Sequence, residues 1–206
     1  MTQNRQSLRW PFIFGALALA CSNDETAPTP TIDSPLTLCE QPAIDNLGDI
    51  ETEVVFNAYT IQGNTTEALR QSLNSLGPGR FDAFTEWYVN WKLIGDCTNP
   101  TPQVGLTITY TFPQWKNRRG ASKALIQKWN TYEQALLCHE HEHARIGIQA
   151  AVQTVAQLSS IEPENCQQSQ QLGQRTFQRI LQEHQSKDVA LDARTQHGAT
   201  EGAVFP

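Results

Sequence analysis

The sequence predicts an α+β domain in which a small antiparallel sheet is followed by a long helix and a second helix. Alternation of apolar and polar residues, typical of strands, is confined to positions 53–112. Apolar spacings of three and four, typical of amphipathic helices, dominate positions 122–183. The chain has no internal repeat, so a solenoid is excluded. Strands first and helices afterwards are the pattern of α+β proteins.

Each predicted element is bounded by residues that end regular structure. Gly77-Pro78-Gly79 ends a short helix, and a loop at 95–102 joins two alternating segments into a predicted antiparallel pair. Pro163 ends the long helix. The predicted elements, in chain order, are a strand at 53–61, a helix at 66–76, strands at 81–93 and 104–112, a helix from Ser122 to about Ser160, and a helix at about 164–183.

The N-terminus predicts a signal peptide over residues 1–20. Arg5 and Arg9 precede an apolar run of eleven residues, which is too short to span a membrane. The small residues before Cys21 are similar to the lipobox of bacterial lipoproteins, in which this cysteine would be lipidated. The alternative is an ordinary signal peptide that is cleaved nearby. We therefore expect an exported lipoprotein of the cell envelope, with secretion as the alternative.

Residues 21–50 begin with a polar segment rich in Pro and Thr, which predicts a flexible tether. Residues 51–206 are long enough for one domain with its own core. Residues 1–20 carry two arginines and no acidic residue, so the remaining chain has 15 − 2 = 13 basic and 21 acidic side chains, a net charge of −8. This charge disfavours nucleic acid and anionic membrane surfaces as partners. Membrane attachment is expected only through a lipid on Cys21.

The long helix carries an H-E-x-x-H motif formed by His139, Glu140 and His143. Positions i and i+4 lie one turn apart on the same face of a helix, so both imidazoles can bind one Zn²⁺. Glu140 lies about 100° around the helix from His139, which predicts a general base rather than a ligand. His141 is predicted to point away from the metal.

The two histidines continue an apolar stripe that should face the core. Its members are Leu125, Trp129, Tyr132, Leu136, His139, His143, Ile146 and Ala150. Buried imidazoles and a buried carboxyl need a partner, and a metal ion supplies one. The alternative is a solvated polar surface.

Four segments together resemble a known bacterial family. They are Arg80-Phe81-Asp82-Ala83-Phe84-Thr85-Glu86-Trp87 with Trp91, Thr109-Tyr110-Thr111-Phe112-Pro113-Gln114-Trp115, His139-Glu140-His141-Glu142-His143, and Asp192-Ala193-Arg194-Thr195-Gln196-His197-Gly198. The family is known as domain of unknown function 922 and is described as secreted zinc-dependent proteases. The resemblance covers roughly residues 53–206. With the motif, it implies a zincin-like fold and a zinc-dependent peptidase.

A catalytic zinc ion usually has three protein ligands, so a third must come from outside the motif. The spacing of metzincins is absent, because Gln149 stands where their third histidine would be. His197, which belongs to the last of the four segments, is the predicted third ligand. Glu164, His184 and Asp192 are the alternatives, and Asp192 could instead orient a ligand imidazole.

The predicted function is an exported zinc-dependent metallopeptidase that hydrolyses peptide bonds in a peptide or protein substrate, with Glu140 as general base. The alternative is a non-catalytic envelope lipoprotein domain with a structural or vestigial metal site. A closed site with four protein ligands would favour this alternative, and an open site would favour the enzyme.

Four cysteines follow Cys21, and an even number in an exported protein predicts two disulfides. Cys138 lies more than 20 residues before the predicted end of the long helix, whereas Cys166 lies just after that end. The two are therefore roughly 30 Å apart, too far for a disulfide. We favour Cys97–Cys166 together with Cys39–Cys138.

Overall fold

The computed structural model describes residues 39, 42–44, 47–79 and 81–205. The predicted signal peptide, the predicted lipidation site at Cys21 and most of the predicted tether lie outside these residues. Across the described residues, no helix combines the length and the apolar character that a membrane span requires.

The α+β fold class is confirmed, since three strands and three α-helices form the described domain. The zincin-like part of the prediction stays a prediction. The elements are β1 (Ile50–Ile61), α1 (Thr66–Leu76), β2 (Phe84–Asp96), β3 (Asn99–Trp115), α2 (Lys123–Leu158), α3 (Cys166–Thr195) and a 3₁₀ turn (Ala199–Glu201).

The sheet is mixed, with β3 between β1 and β2. The antiparallel pairing of β2 with β3 is confirmed and runs from Phe84↔Thr111 to Asp96↔Asn99. The prediction is wrong for β1, which pairs with β3 in parallel from Ile50↔Val104 onwards. The hairpin carries β3 back beside β2, and β1 then pairs with the free side of β3. Alternation along a strand reports only which face is buried, so it could not predict this arrangement.

One face of the sheet packs against α2. Alternate residues of β3 (Val104, Leu106, Ile108 and Tyr110) are buried against Ala144, Ala150 and Ala151 of α2 and Ile180 of α3. On the opposite face, Thr107, Thr109 and Thr111 are only half-buried. The sheet therefore supports the long helix from one side and leaves its other face to solvent.

The helix α2 continues for 36 residues, through the position of Gly147. A Cβ built on this glycine would lie 2.6 Å from the Cβ of Trp87 on β2. The absence of a side chain thus allows the helix to approach the edge strand closely. This contact holds β2 beside the stretch of α2 that carries the motif.

The second helix is longer than predicted, since α3 ends at Thr195 rather than near position 183. No glycine or proline lies between position 183 and Gly198, so nothing in the chain stops the helix earlier. After α3 the tail folds back over the domain, where Ala203 and Phe205 are buried in a cluster with Trp129 and Tyr132. Because α3 extends to Thr195, Asp188 and Asp192 lie one turn apart on this helix.

The favoured disulfide pairing is confirmed. Cys39 is joined to Cys138 with a Cα–Cα distance of 5.3 Å, and Cys97 is joined to Cys166 with 4.7 Å. The first links the segment before β1 to α2 at the residue preceding His139. The second links the β2–β3 turn to the first residue of α3. Both bonds tie elements that carry the candidate site to the rest of the fold.

Candidate metal centre

Two helices bring pairs of polar side chains face to face. The helix α2 presents His139 and His143 at i and i+4, and α3 presents Asp188 and Asp192 at the same spacing. The helices run in opposite directions, because His139 meets Asp192 while His143 meets Asp188. Both histidines are buried, with 3% and 7% of their surface exposed.

Three potential metal-ligand atoms converge on one point. The Nε2 atoms of His139 and His143 are 3.2 Å apart. The Oδ1 atom of Asp192 lies 3.3 Å from the first nitrogen and 3.2 Å from the second. These three residues form a group that could hold a metal ion. Ligands at 2.0–2.1 Å from a tetrahedral zinc ion would be about 3.3–3.4 Å from one another, so the group fits zinc.

Two further carboxylates orient the imidazoles from behind. Glu201 Oε2 lies 3.1 Å from Nδ1 of His139, and Asp188 Oδ1 lies 2.8 Å from Nδ1 of His143. A carboxylate oxygen accepts, so each Nδ1–H must donate to it. Each Nε2 then keeps its lone pair and directs it at the point shared with Asp192. Such carboxylate–histidine pairs are typical partners of metal-ligating imidazoles.

Without a cation, this arrangement is electrostatically unfavourable. When both imidazoles are neutral and carry their proton on Nδ1, two nitrogen lone pairs and one carboxylate oxygen face one another at 3.2–3.3 Å with no proton between them. Burial disfavours a charged imidazole, yet the hydrogen bond that His143 donates to Asp188 and the negative charges of Asp188, Glu140 and Asp192 outweigh burial and raise the pKa of His143. The surrounding negative charge thus favours a cation at this point.

Glu140 stands beside the group of three and is not part of it. Glu140 is 4% exposed. The hydroxyl group of Thr85 on β2 donates a hydrogen bond of 2.6 Å to Oε2 of Glu140. Burial raises the pKa of this carboxyl, and the hydrogen bond from Thr85 opposes that rise. The geometry agrees with the predicted separation of Glu140 from the two imidazoles.

A cavity of about 750 Å³ opens over these groups. It is lined by His139, Glu140, His143, Asp188 and Asp192 on the helix side. Seven consecutive residues, Phe81 to Trp87, line it on the side of β2 and the segment that precedes this strand. In the described sheet, β2 is an edge strand. The candidate centre is therefore open to a ligand, with the first residues of the edge strand forming part of one wall.

His197 lies next to Asp192 and outside the group of three. Its Nδ1 is 3.3 Å from Oδ1 of Asp192, and its side chain is 55% exposed. Gln196, His197 and Gly198 all have positive φ, of 53°, 54° and 78°. A Cβ on Gly198 would lie 3.0 Å from Cγ of His139, so only glycine lets the tail approach this imidazole so closely. The assignment of His197 as a ligand stays a prediction.

Asp192, His184 and Glu164 occupy three different places relative to the two imidazoles. Asp192 is in the group. His184 is buried, but its Nε2 contacts Gln153 Oε1 at 2.6 Å and it is not in the group. Glu164 is exposed just before α3, at the opposite end of that helix from Asp192. Of these three residues, the described structure brings only Asp192 to the imidazoles.

His141 lies on the other side of α2, as predicted. Its ring packs edge-on against Tyr110 at 5.9 Å, and Nδ1 lies 3.9 Å from Sγ of Cys39. This histidine belongs to the interface with the sheet and the first disulfide.

Two site residues, Asp188 and Glu201, were missed by sequence reasoning. Asp188 precedes Asp192 by four residues, the spacing of the two histidines, but a helix that ends near position 183 does not include this pair. Glu201 lies in a short polar tail with no periodic pattern. Nothing in the sequence pointed to its contact with His139.

Comparison with known proteins identifies a family. A family model described as "Bacterial protein of unknown function (DUF922)" matches residues 56–198. The matched region contains His139, Glu140, His143, Asp188 and Asp192, and it ends before Glu201. No curated protein and no solved structure matches the chain.

Proposed function

The chain belongs to the DUF922 family of bacterial proteins of unknown function, and from that premise we propose that it is an exported zinc-dependent metallopeptidase. His139, His143 and Asp192 hold the zinc ion, and Glu140 is the general base. One observation carries the proposal. Three acceptor atoms face each other at 3.2–3.3 Å, with both imidazoles oriented from behind and a buried carboxyl beside them.

Three protein ligands leave a position for exchange, as in catalytic rather than structural zinc centres. A zinc ion in this group supplies Lewis acidity, which activates water and polarises a carbonyl group. Asp188 and Glu201 keep the two Nδ1 protons in place, and so keep both Nε2 lone pairs available. In the alternative ligand set, His197 replaces Asp192, and Asp192 orients His197 through the 3.3 Å contact.

Glu140 performs the proton transfers. Thr85 holds Oε2, so Oε1 is the oxygen that accepts a proton from the attacking water. As the water oxygen bonds to the carbonyl carbon, Glu140 takes the proton. As the C–N bond breaks, Glu140 donates that proton to the leaving amine nitrogen. The products are a carboxylic acid and an amine, and Glu140 ends in its starting state.

The edge of β2 supports a peptide as the substrate. An edge strand carries unpaired backbone N–H and C=O groups that an extended peptide can pair with. In the described sheet β2 is such an edge strand, and its residues Phe84 to Trp87 line the cavity. A peptide held there lies alongside Glu140, which Thr85 bonds from the same strand.

Two disulfides support an oxidising compartment, and therefore export. Attachment through a lipid on Cys21 remains part of the proposal, with secretion as its alternative. The net charge of the chain, −6 before any processing, supports partners other than nucleic acid.

A second candidate function is a non-catalytic envelope domain with a structural metal. The position of His197 favours it, because Nδ1 is 3.3 Å from the Oδ1 atom of Asp192. If this imidazole moved onto the metal as a fourth ligand, the site would be closed to substrate.

The test combines metal content with hydrolysis. The protein, purified without a reducing agent, is assayed for bound zinc by mass spectrometry and for cleavage of a fluorogenic peptide library. Glu140→Gln should keep one zinc ion per chain and lose roughly 10²–10⁴-fold in kcat/KM. Glu142→Gln is the matched control, since this exposed glutamate pairs with Arg145 on the surface of the same helix.

Wild-type protein that binds no zinc would contradict the metal assignment. Unchanged hydrolysis by Glu140→Gln would remove this residue from the mechanism. Stoichiometric zinc with no cleavage of any library peptide would favour the structural metal.

A further inference from the structure

Three rings line the cavity and have no part in the proton transfers. We call it the aromatic shelf, formed by Phe81, Phe84 and His197. The rings of Phe81 and Phe84 are nearly parallel, with centroids 6.4 Å apart and planes at 9°. The ring of His197 lies 4.8 Å from that of Phe81. All three residues line the cavity over the metal group.

The shelf retains apolar surface that folding does not bury. Phe84 is 42% exposed, although Thr85 next to it is buried. Exposed aromatic surface is costly to hydrate, so a partly exposed phenylalanine that lines a polar cavity is a candidate for ligand contact. Gln196 and His197 have φ angles of 53° and 54°. This left-handed conformation costs energy for residues that have a Cβ. Such strain is commonly found at functional sites.

One residue of the shelf, His197, contacts a residue of the metal group. Nδ1 of His197 is 3.3 Å from Oδ1 of Asp192, which is itself 3.2–3.3 Å from both Nε2 atoms. A peptide carbonyl at the metal group would place the flanking side chain only a few bonds away. The shelf is therefore within reach of a side chain next to the bond being cut.

We propose that the aromatic shelf is a substrate subsite that takes an aromatic or large apolar side chain flanking the scissile peptide bond. The inference rests on the proposed peptidase function and adds its substrate class. Rings of the substrate can stack on Phe84 and Phe81 in offset or edge-on arrangements.

The charges around the shelf argue for a neutral occupant. An acidic side chain would be repelled by Asp192, Asp188 and Glu140. A basic side chain needs an available carboxylate, and two of those beside the shelf, Asp192 and Asp82, are already paired. Asp192 contacts two ligand imidazoles, and Asp82, adjacent to Phe81, binds Arg70 and accepts from Tyr132 at 2.8 Å. The exposed Glu86, which also lines the cavity, is the remaining one, and the lysine probe below measures its attraction.

The first experiment measures binding by the zinc-loaded protein. Calorimetry compares N-acetyl-phenylalanine hydroxamate with the corresponding alanine, lysine and glutamate hydroxamates. The phenylalanine probe should bind at least roughly tenfold more tightly than the alanine probe, the gain expected from burying a phenyl ring. The lysine and glutamate probes should show no such gain.

Three variants assign that preference to the shelf. Phe84→Ala should reduce the preference to less than about threefold, by weakening the phenylalanine probe more than the alanine probe. Phe84→Trp should retain the preference, since it keeps a ring. Phe56→Ala is the matched control, because Phe56 is 68% exposed on β1 at the other edge of the sheet. An equal preference in Phe84→Ala, or a stronger preference for the lysine probe, would overturn the proposal.

A second experiment separates the subsite from the peptidase. N-acetyl-phenylalanine amide, which has no metal-binding group, is titrated into metal-free protein and followed by NMR. The ring signals of Phe84 and His197 should shift, and N-acetyl-alanine amide should leave them in place. If these shifts occur while zinc binding and hydrolysis fail, the shelf binds aromatic side chains, but the peptidase function, and with it the role of the shelf as a peptidase subsite, is overturned. If the protein hydrolyses peptides but neither experiment shows a preference for phenylalanine, the subsite proposal is wrong and the peptidase proposal is unaffected.

Discussion

Thr85 donates a hydrogen bond of 2.6 Å to Glu140, joining the edge strand to the motif helix at a buried carboxyl group. The two residues are 55 positions apart in the chain. Because Glu140 is 4% exposed, its carboxylate depends on this donor in place of water. The contact sets the orientation of the proposed base relative to the imidazoles.

The first prediction concerns this contact. Thr85→Val removes the hydroxyl with little change of shape, so a buried carboxylate loses its donor. We expect the free energy of unfolding to fall by about 1–3 kcal/mol and kcat/KM to fall with it. Thr85→Ser keeps the donor and should retain most of the activity. Urea unfolding and single-substrate kinetics measure both effects, and equal behaviour of the two variants would argue against the role of the hydroxyl.

The second prediction distinguishes the two candidates for the third ligand. Asp192→Ala removes an atom of the three-atom group and should weaken zinc binding by more than about 100-fold. His197→Ala removes a side chain outside the group and should change zinc affinity by less than about tenfold. Competition with a chelator measures both constants. The reverse order would make His197 the ligand and Asp192 its orienting partner.

The third prediction concerns the carboxylates behind the imidazoles. Asp188→Ala and Glu201→Ala should each weaken zinc binding by about 10–100-fold, because His143 and His139 lose the acceptors that hold their Nδ1 protons. Glu183→Ala is the control, since this carboxylate pairs with Lys187 on the surface of α3. Zinc affinity equal to wild type in both site variants would show that these hydrogen bonds do not tune the centre.

The fourth prediction concerns Tyr110, whose buried hydroxyl has no hydrogen-bond partner among the described residues. Tyr110→Phe should therefore raise the free energy of unfolding by about 1 kcal/mol at pH 8. Burial, followed by the charge of Glu140, raises the pKa of this phenol to about 12.

The raised pKa of Tyr110 determines how the stability difference between wild type and Tyr110→Phe changes with pH. In the unfolded chain the phenol ionises near pH 10. Between about pH 10 and 12 the unfolded state thus binds fewer protons, and the wild-type protein loses stability as pH rises. Tyr110→Phe lacks this loss, so its advantage in urea unfolding should be larger at pH 11 than at pH 8. An advantage that shrinks with pH would contradict the assignment.

The local relationships in the site could be predicted from the sequence alone. A helix repeats every 3.6 residues, so the spacing of His139 and His143 places both imidazoles on one face, and His141 on the other. Alternation of apolar and polar residues likewise predicted strands at 81–93 and 104–112, where β2 and β3 lie. The length of α2 excluded one disulfide pairing. Each of these inferences depends on distances along one regular element.

Contacts between elements were decided by the tertiary structure. Asp192, Asp188 and Glu201 meet the motif over sequence separations of 45 to 62 residues. Their positions depend on how α3 packs against α2, on where α3 ends, and on the burial of Phe205, which folds the tail back. The parallel pairing of β1 with β3 is likewise a contact between elements that the tertiary structure decides. Local periodicity carries no information about which surfaces meet, because that is settled by packing of the whole chain at once.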